Sequence, residues 1–419
     1  MNKFHRIFQN RNLTLLWLGQ MVSQSGDSIY QIGLMWLVLE LTGSESITGL
    51  VAMAAYLPAV LFSLLAGVVV DRYNRRRIML GADAFRFAII LLLPVAHLMG
   101  QLNPLVLGVN AFALAIAATF FNPARDSFIP QIIPKSGLMR ANSLIQTSWQ
   151  FSLLLGPALA GILLHYVGNI HLFTVDSLAY LLSFFLILAI RKQSPPHLSP
   201  TLEPVEKSQS PKQQNSLKPG FTEIMNGLTW TVKHPVIFPL LLITIADNLF
   251  IMGPAIVGTP VLIKIEFGLG AESYALIMGC YAVGMLLGTA GLLTFGSRFR
   301  KGQVLLVGMI LDGLTFIPIY FIDSIEALAI IIIIHSLAIP MLTISRASLI
   351  QSIVPSHMTG RIFALVNLSV IGMAALSSGV SGFALDQWGA HTVFLIIGIC
   401  GAMCGILGWI FAIKLKNQK

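Results

Sequence analysis

Long apolar segments alternate with short polar ones along almost the whole chain. Each apolar segment approaches or exceeds the roughly 20 residues that an α-helix needs to cross about 30 Å of hydrocarbon. The pattern predicts an all-α membrane protein with twelve transmembrane helices. The predicted spans are 13–39, 46–70, 77–99, 104–126, 141–165, 172–190, 236–261, 272–296, 303–322, 326–347, 361–385 and 391–413.

Composition supports this interpretation. Of the 419 residues, 56% are hydrophobic and 10% are charged, whereas soluble domains average about 25% charged residues. The net charge of +9 does not indicate nucleic-acid binding, because the charges are spread over short loops. The three cysteines all lie in apolar segments, so we expect neither disulfides nor a metal site. No phosphate-binding loop or hydrolase motif is present, and we expect no cofactor and no enzyme activity.

Lysine and arginine are strongly biased to one side of the predicted membrane. With the N-terminus inside, 22 of the 26 fall in cytoplasmic segments, and only Lys264 falls on the other side. By the positive-inside rule, we expect a multi-pass protein of the cytoplasmic (inner or plasma) membrane with both termini in the cytoplasm. The first apolar segment is too long for a signal peptide and is predicted to be a retained helix.

One polar stretch divides the chain. Residues 193–219 are rich in Pro, Ser and Gln and are predicted to be a flexible linker, followed by a short amphipathic helix on the membrane surface. We therefore expect a six-helix bundle at 1–192, a cytoplasmic linker with its helix at 193–234, and a second six-helix bundle at 235–419.

The two halves match each other at a constant offset. Seven residue pairs spread over 49 positions are separated by 221 residues, among them Arg125 with Arg346 and Pro134 with Pro355. Six helices separate the copies, so both have the same orientation in the membrane. Parallel repeats of this kind are a transporter design in which substrate binds between the halves near the membrane midplane.

The loop between predicted helices 2 and 3 carries the most specific motif. It runs from Gly67 through Asp71-Arg72 to Arg75-Arg76-Arg77 and resembles the signature loop of the major facilitator superfamily. Asn74 replaces the second glycine of that signature, and we expect Asn to tolerate a positive φ there. The resemblance implies the major facilitator fold, with two parallel six-helix repeats.

A second motif lies in predicted helix 5. Gly156, Pro157 and Gly161 allow close helix packing and a bend. The motif partly resembles the Gly-Pro-x-x-Gly-Gly motif of antiporters, with Ala160 in place of one glycine. Several runs, including Gly81-Ala82-Asp83 and Asn122-Pro123-Ala124-Arg125, are similar to the branch that contains macrolide-efflux proteins and the enterobactin exporter. This resemblance implies export by antiport.

A polar stripe in predicted helix 1 is the main candidate for proton coupling. Gln20, Gln24, Asp27 and Gln31 are spaced by 4, 3 and 4 residues and share one helical face. An ionised Asp inside the bilayer costs at least about 2.5 kcal/mol, so it should face a wet cavity or a partner. No Lys or Arg lies near Asp27 in its own helix. Asp247-Asn248 occupies the corresponding place in the second half, and we expect Asp27, ahead of Asp247, to be the proton-responsive group.

Other polar residues divide into two groups. We expect an inner gate of charged residues at cytoplasmic helix ends, formed by Asp71, Arg72, Arg75, Arg76, Asp83, Arg86, Arg125, Asp126 and Arg346. We expect the substrate cavity to be lined by Gln20, Gln24, Gln31, Tyr56, Gln146, Trp149, Gln150, Asn248 and His335. A lone intramembrane His is more often structural than functional, and aromatic residues are often packing residues. Asp176 is a candidate for an outer gate or a helix start, and Asp312 has no assigned role.

These observations favour a secondary transporter that exports amphipathic small molecules, drug-like or siderophore-like, by proton antiport. Its expected partners are the substrate, protons and the lipid bilayer, without nucleic acid. No segment requires a second chain, so we expect a monomer. A dedicated siderophore exporter and a lysophospholipid flippase remain open alternatives. A receptor or scaffold without transport activity is the alternative of another class.

Overall fold

The computed structural model describes residues 10–133, 137–191 and 227–418, without the side chains of residues 139, 140, 297, 356 and 357. Within these ranges the chain forms twelve long helices and no strand. The first six are α1 (Arg11–Thr42), α2 (Glu45–Arg72), α3 (Arg75–Leu98), α4 (Pro104–Ile132), α5 (Leu138–Val167) and α6 (Ile170–Leu188). They are followed by α7 (Ile237–Glu266), α8 (Ala271–Phe295), α9 (Lys301–Phe321) and α10 (Ile325–Ile353). Gly389, at φ 73°, divides the stretch Ser356–Phe411 into α11 (356–388) and α12 (390–411).

The prediction of an all-helical membrane protein is confirmed. Ten helices are long and apolar enough to span a bilayer when Met358–Phe411, which contains both α11 and α12, is counted once. The remaining one, α1, is also long enough at 32 residues but carries the polar stripe. The predicted ends of α4 and α10 were too early, because both helices continue through a charged turn to residues 132 and 353. The bounds of α4 and α10 differ by the same 221 residues as the sequence repeat, at both ends.

Short polar residues begin several of the helices. Asn10, Ser44 and Ser324 accept hydrogen bonds from the first-turn backbone of α1, α2 and α10, which satisfies amides that lack a partner within the helix. Asn74 does the same for α3, with its side-chain oxygen 3.2 Å from the amide of Arg77 and a φ of −68°. The expected positive φ at Asn74 is therefore wrong. Asn replaces the glycine of the signature loop because it caps the next helix.

The packing of α6 on α1 depends on three glycines spaced seven residues apart. Gly19, Gly26 and Gly33 lie on one face of α1, and a Cβ at any of them would touch α6. At Gly26 it would collide with the carboxylate of Asp176, and at Gly33 it would lie 3.1 Å from Leu172. Small residues in this pattern bring two transmembrane backbones close together. This close approach sets the geometry of the polar site described below.

The helices form two bundles, α1–α6 and α7–α12, that meet at one end only. We call the end where α1 begins the basic end, and the other the opposite end. At the opposite end a single buried apolar cluster includes residues of both bundles, such as Leu34 and Val38 with Ile263 and Phe394. At the basic end each bundle has its own separate cluster. The molecule is therefore closed at the opposite end, and the bundles separate toward the basic end.

Two helix pairs make the closure. The start of α2 packs on the end of α11, where a Cβ at Gly49 would lie 2.6 Å from the carbonyl oxygen of Ser378. The end of α5 packs on the start of α8, and Gly161 faces Ala275 there. Ser46 also donates a 3.1 Å hydrogen bond to Asp386 across the same junction.

The predicted linker and the domain boundaries are not tested by this fold. Residues 192–226 lie outside the described residues, and so do the side chain of Arg140 and residues 134–136. Of the expected surface helix, residues 227–233 are described and are helical. The boundaries at 192 and 234 stay predictions.

Candidate functional site: a buried polar cluster in the first bundle

The largest group of buried charged residues lies inside the first bundle, between α1, α3 and α6. Asp83 and Arg86, one helical turn apart on α3, form an ion pair of 3.7 Å. The Arg86 guanidinium also lies 4.8 Å from the ring centre of Phe121 and 5.0 Å from that of Tyr180. Cation–π contacts of this kind are stronger where water is excluded. Asp83 accepts a second hydrogen bond of 2.7 Å from Ser183 of α6.

Asp83 and Arg86 were predicted to belong to an inner gate at the basic end. The structure instead places both side chains inside the first bundle, with at most 5% of either exposed. Their contacts are with α4 and α6 of the same bundle. In this conformation they do not bridge the two bundles, because the sequence interpretation assigned them to a helix end by position alone.

Asp27 of α1 belongs to the same cluster. Its carboxylate accepts a short hydrogen bond from the hydroxyl of Tyr180, and Arg86 acts on it electrostatically. The sequence analysis considered only the helix of Asp27 and found no cation there. The structure supplies the cation from α3. Asp27 is partly exposed.

Asp176 is the most isolated member of the cluster. Its side chain is fully buried, and among the described residues neither carboxylate oxygen has a hydrogen-bond partner. It packs against Gly26, and Asp27 and Arg86 are its electrostatic neighbours. The suggestion of an outer gate or a helix start is wrong, since Asp176 lies within α6 and is covered by α1.

The remaining members of the α1 stripe have separate partners. Arg125 of α4 donates a 2.9 Å hydrogen bond to Gln20 and also pairs with Asp126 at 2.9 Å. Gln24 donates to Gln20 at 3.4 Å. Nearer the opposite end, Gln31 hydrogen-bonds with Tyr56 of α2. The stripe thus connects α1 to α2, α4 and α6.

In the second bundle, Asp247 and Asn248 are both buried in α7. Asn248 donates to the carbonyl of Thr244 at 2.8 Å, and Arg346 of α10 is the electrostatic partner of Asp247. Arg346 therefore acts within the second bundle in this conformation.

His335 was predicted to line the cavity. The structure places it, fully buried, beside α9, with its Nδ1 3.4 Å from the Asp312 carboxylate and 3.0 Å from the hydroxyl of Thr315. Its ring packs on Phe316 at 4.3 Å. This location favours the structural interpretation of the lone His and gives Asp312 a partner.

Three predicted cavity residues of α5 lie toward the basic end. Gln146 and Gln150 share a helical face with Gly161, which contacts α8 at the opposite end. Because α5 and α8 separate toward the basic end, this face becomes open to the space between the bundles. Trp149 is 47% exposed on a neighbouring face.

The glycines of the helix 5 motif pack on different helices. Gly156 is pressed against Ser28 of α1, whereas Gly161 faces α8 of the second bundle. Pro157 lies between them inside the helix. The motif thus brings one helix close to both its own bundle and the other one.

The signature loop is exposed at the basic end. Asp71 is 82% exposed and lies 3.9 Å from Arg75, and Arg72 is also exposed. Arg76 donates to the carbonyl oxygens of Ile187 and Leu188, at 3.2 and 2.5 Å. Because the last carbonyls of a helix lack partners within it, Arg76 ties the end of α6 to the start of α3.

Tyr180 and Ser183 were missed in the sequence. Asp176, Tyr180 and Ser183 are spaced by 4 and 3 residues on α6, the same steps that revealed the stripe on α1. A search for polar residues at helical spacing in every segment would have found them. No group of three or more metal-binding side chains occurs among the residues that the structure describes.

Two six-helix bundles with charged groups buried between their helices define a membrane transporter of the major facilitator fold. The D-xylose-proton symporter has the same fold, with a TM-score of 0.74 at 14% identity over 98% of this chain and 99% of that one. The nucleoside transporter NupG also has a TM-score of 0.74, at 12% identity over 97% and 99%. These likenesses concern the fold alone.

The chain belongs to the transmembrane secretion effector family of the major facilitator superfamily, whose model matches residues 6–419. It is 24% identical to the multidrug efflux pump Tap of Mycolicibacterium fortuitum over 422 residues, covering 97% of this chain and 96% of the relative. It is 25% identical to macrolide efflux protein A of Streptococcus pyogenes over 411 residues, covering 96% and 97%. The superfamily resemblance stated from the sequence is confirmed.

Proposed function

We propose that this protein is a secondary active transporter that exports amphipathic small molecules in exchange for protons. Export of drug-like compounds is supported by the relatives, which are named as a multidrug efflux pump and a macrolide efflux protein. Proton exchange is supported by one observation above all, the buried carboxyl cluster of the first bundle.

The charges of that cluster do not balance. Asp27, Asp83 and Asp176 surround one guanidinium, that of Arg86. If all three carboxyls were ionised, two negative charges would have no counter-charge, and each costs about 2.5–3.5 kcal/mol even on the mildest membrane scale. Binding a proton removes that cost. A cluster of this kind is suited to taking up and releasing protons during a transport cycle.

The shape of the molecule supports alternating access. The bundles are joined at the opposite end and separate at the basic end. If the basic end is cytoplasmic, as the lysine and arginine bias predicts, this conformation accepts substrate from the cytoplasm. Opening at the opposite end would then release it outside. Gln20, Gln146 and Gln150 are candidates to contact the substrate.

The deciding experiment is transport by the purified protein in proteoliposomes. A panel of a macrolide, a lipophilic cationic dye, a catecholate siderophore and a fluorescent lysophospholipid is tested with and without an imposed pH gradient. We expect the gradient to drive transport of the macrolide or the dye, and an ionophore that collapses the gradient to abolish it. Asp27→Asn keeps the size and hydrogen bonding of the side chain, so it should still bind substrate but lose gradient-driven transport.

Each alternative gives a different result. A siderophore exporter would transport only the siderophore, a flippase only the lysophospholipid, and a scaffold nothing. Transport that is identical with and without the gradient contradicts proton antiport. Wild-type transport and pH dependence in Asp27→Asn contradict the role of Asp27.

A further inference from the structure

The carboxyl of Asp176 has an environment unlike that of the other two acids in its cluster. Asp83 has an ion pair and a hydrogen bond from Ser183, and Asp27 has a hydrogen bond from Tyr180 and partial exposure to solvent. Asp176 has no exposure and no hydrogen-bond partner among the described residues. An ionised carboxylate without hydrogen bonds is the least stable form of a buried acid. A neutral carboxyl fits this site far better.

We infer that Asp176 holds an exchangeable proton in a site inside the first bundle, distinct from the space between the bundles. The main packing partners of α6 are α1 and α3, both in the first bundle. The inference rests on the proposed antiport and deepens it, because it separates the proton site from the substrate site.

The charged and titratable groups around Asp176 come from three helices. Asp27 and Tyr30 face it from α1, Arg86 and Asp83 lie on α3, and Tyr180 is one turn further along α6 itself. Arg86 acts on all three carboxyls. Its positive charge can therefore stabilise whichever carboxylate is ionised at a given stage.

Asp27 gives the proton a way out. It follows Gly26, against which Asp176 packs, and its side chain is partly exposed. In the transfer, the O–H bond of Asp176 breaks and a new one forms on the Asp27 carboxylate. The negative charge moves from Asp27 to Asp176 and stays within the range of Arg86. Asp27 then loses the proton to water.

This arrangement makes coupling indirect. The glycine face of α1 packs on α6, while its polar stripe extends toward the other helices. A change in the charge of Asp176 alters the packing of α1 on α6, and the movement of α1 reaches the substrate space. Substrate and proton do not need to compete for the same atoms.

Infrared pH-difference spectroscopy on the purified full-length protein, without any drug, tests the proton directly. We expect wild-type protein to show a protonated-carboxyl stretch that is sensitive to deuterium and disappears as the pH rises. Asp176→Asn should lose this band. Asp83→Asn is the matched control, with the same substitution in the same cluster, and should keep it. If Asp176→Asn does not fold, the band must shift in Asp176→Glu.

Three results would overturn the inference. They are an unchanged band in both Asp176 variants, a band that neither exchanges nor titrates in wild-type protein, and loss of the band in Asp83→Asn. The result is independent of the proposed function. A titrating Asp176 band in a protein whose transport ignores the pH gradient would contradict antiport alone. Gradient-driven macrolide transport by Asp176→Asn at the wild-type rate would contradict the role of Asp176 alone.

Discussion

The closure at the opposite end depends on a glycine contact that a single methyl group should disrupt. A Cβ at Gly49 of α2 would lie 2.6 Å from the Ser378 carbonyl oxygen and 2.7 Å from the Gly382 Cα, both on α11. Carbon atoms at optimal separation are about 3.5–4.0 Å apart, so the helices must move apart by about 1 Å. Overpacking of this kind typically costs about 1–3 kcal/mol. Gly49→Ala should therefore shift the equilibrium about 5- to 150-fold toward the state open at the opposite end.

Gly67→Ala is the matched control. Gly67 lies in the same helix, and nothing lies within 4 Å of the position of its Cβ, so it shares the gain in helix propensity without the collision. Spin labels at Leu98 and Phe321, exposed at the opposite end of the two bundles, report the distance after Cys280, Cys400 and Cys404 are replaced. We expect a longer-distance population in Gly49→Ala only. The same distribution in both variants would refute the reasoning.

Three further predictions concern the ends of the bundles. Asp71, which pairs only weakly with Arg75 here, should stabilise the state closed at the basic end. Asp71→Asn should then lengthen spin-label distances across the basic end, and unchanged distances would remove Asp71 from the gate. Replacing residues 194–219 with a Gly/Ser segment of equal length should preserve transport, and loss of transport with normal insertion would contradict this. Glu45 and Asp386 share a hydrogen bond across the opposite end, which requires one proton. Raising the pH should therefore open that end, as measured with the Leu98–Phe321 label pair, and Asp386→Asn should abolish this pH dependence.

The sequence predicted the scaffold well because hydrophobic length and charge bias depend on local composition. All twelve spans, the polar stripe on α1 and the repeat were visible in this way. The ends of α4 and α10 were not, because charged residues such as Arg125 and Arg346 were expected to end the helices. In the structure these arginines point to partners on α1 and α7, so the helices continue past them.

Contacts between helices were harder to predict. Periodicity gives the face on which a residue lies, but not which helix covers that face. Asp27 was correctly placed in a polar stripe, yet its partners Tyr180 and Arg86 are 153 and 59 residues away in the chain. Arg86 was assigned to a gate because it lies near the start of α3. Only the close packing of α6 on the glycines of α1 explains why it is buried in the first bundle.

The internal repeat also misled in one instructive respect. Because Asp27 and Asp247 correspond, the sequence favoured one shared, symmetric site. At the offset of 221, however, Asp83, Arg86 and Asp176 correspond to Val304, Val307 and Ile397. The second bundle therefore has no equivalent of the charged groups that surround Asp27. If the bundles divide their tasks, proton binding belongs to the first, and substitutions that place a charge at Val307 or Ile397 should not create a second proton site unless α7 also acquires the glycine spacing of α1.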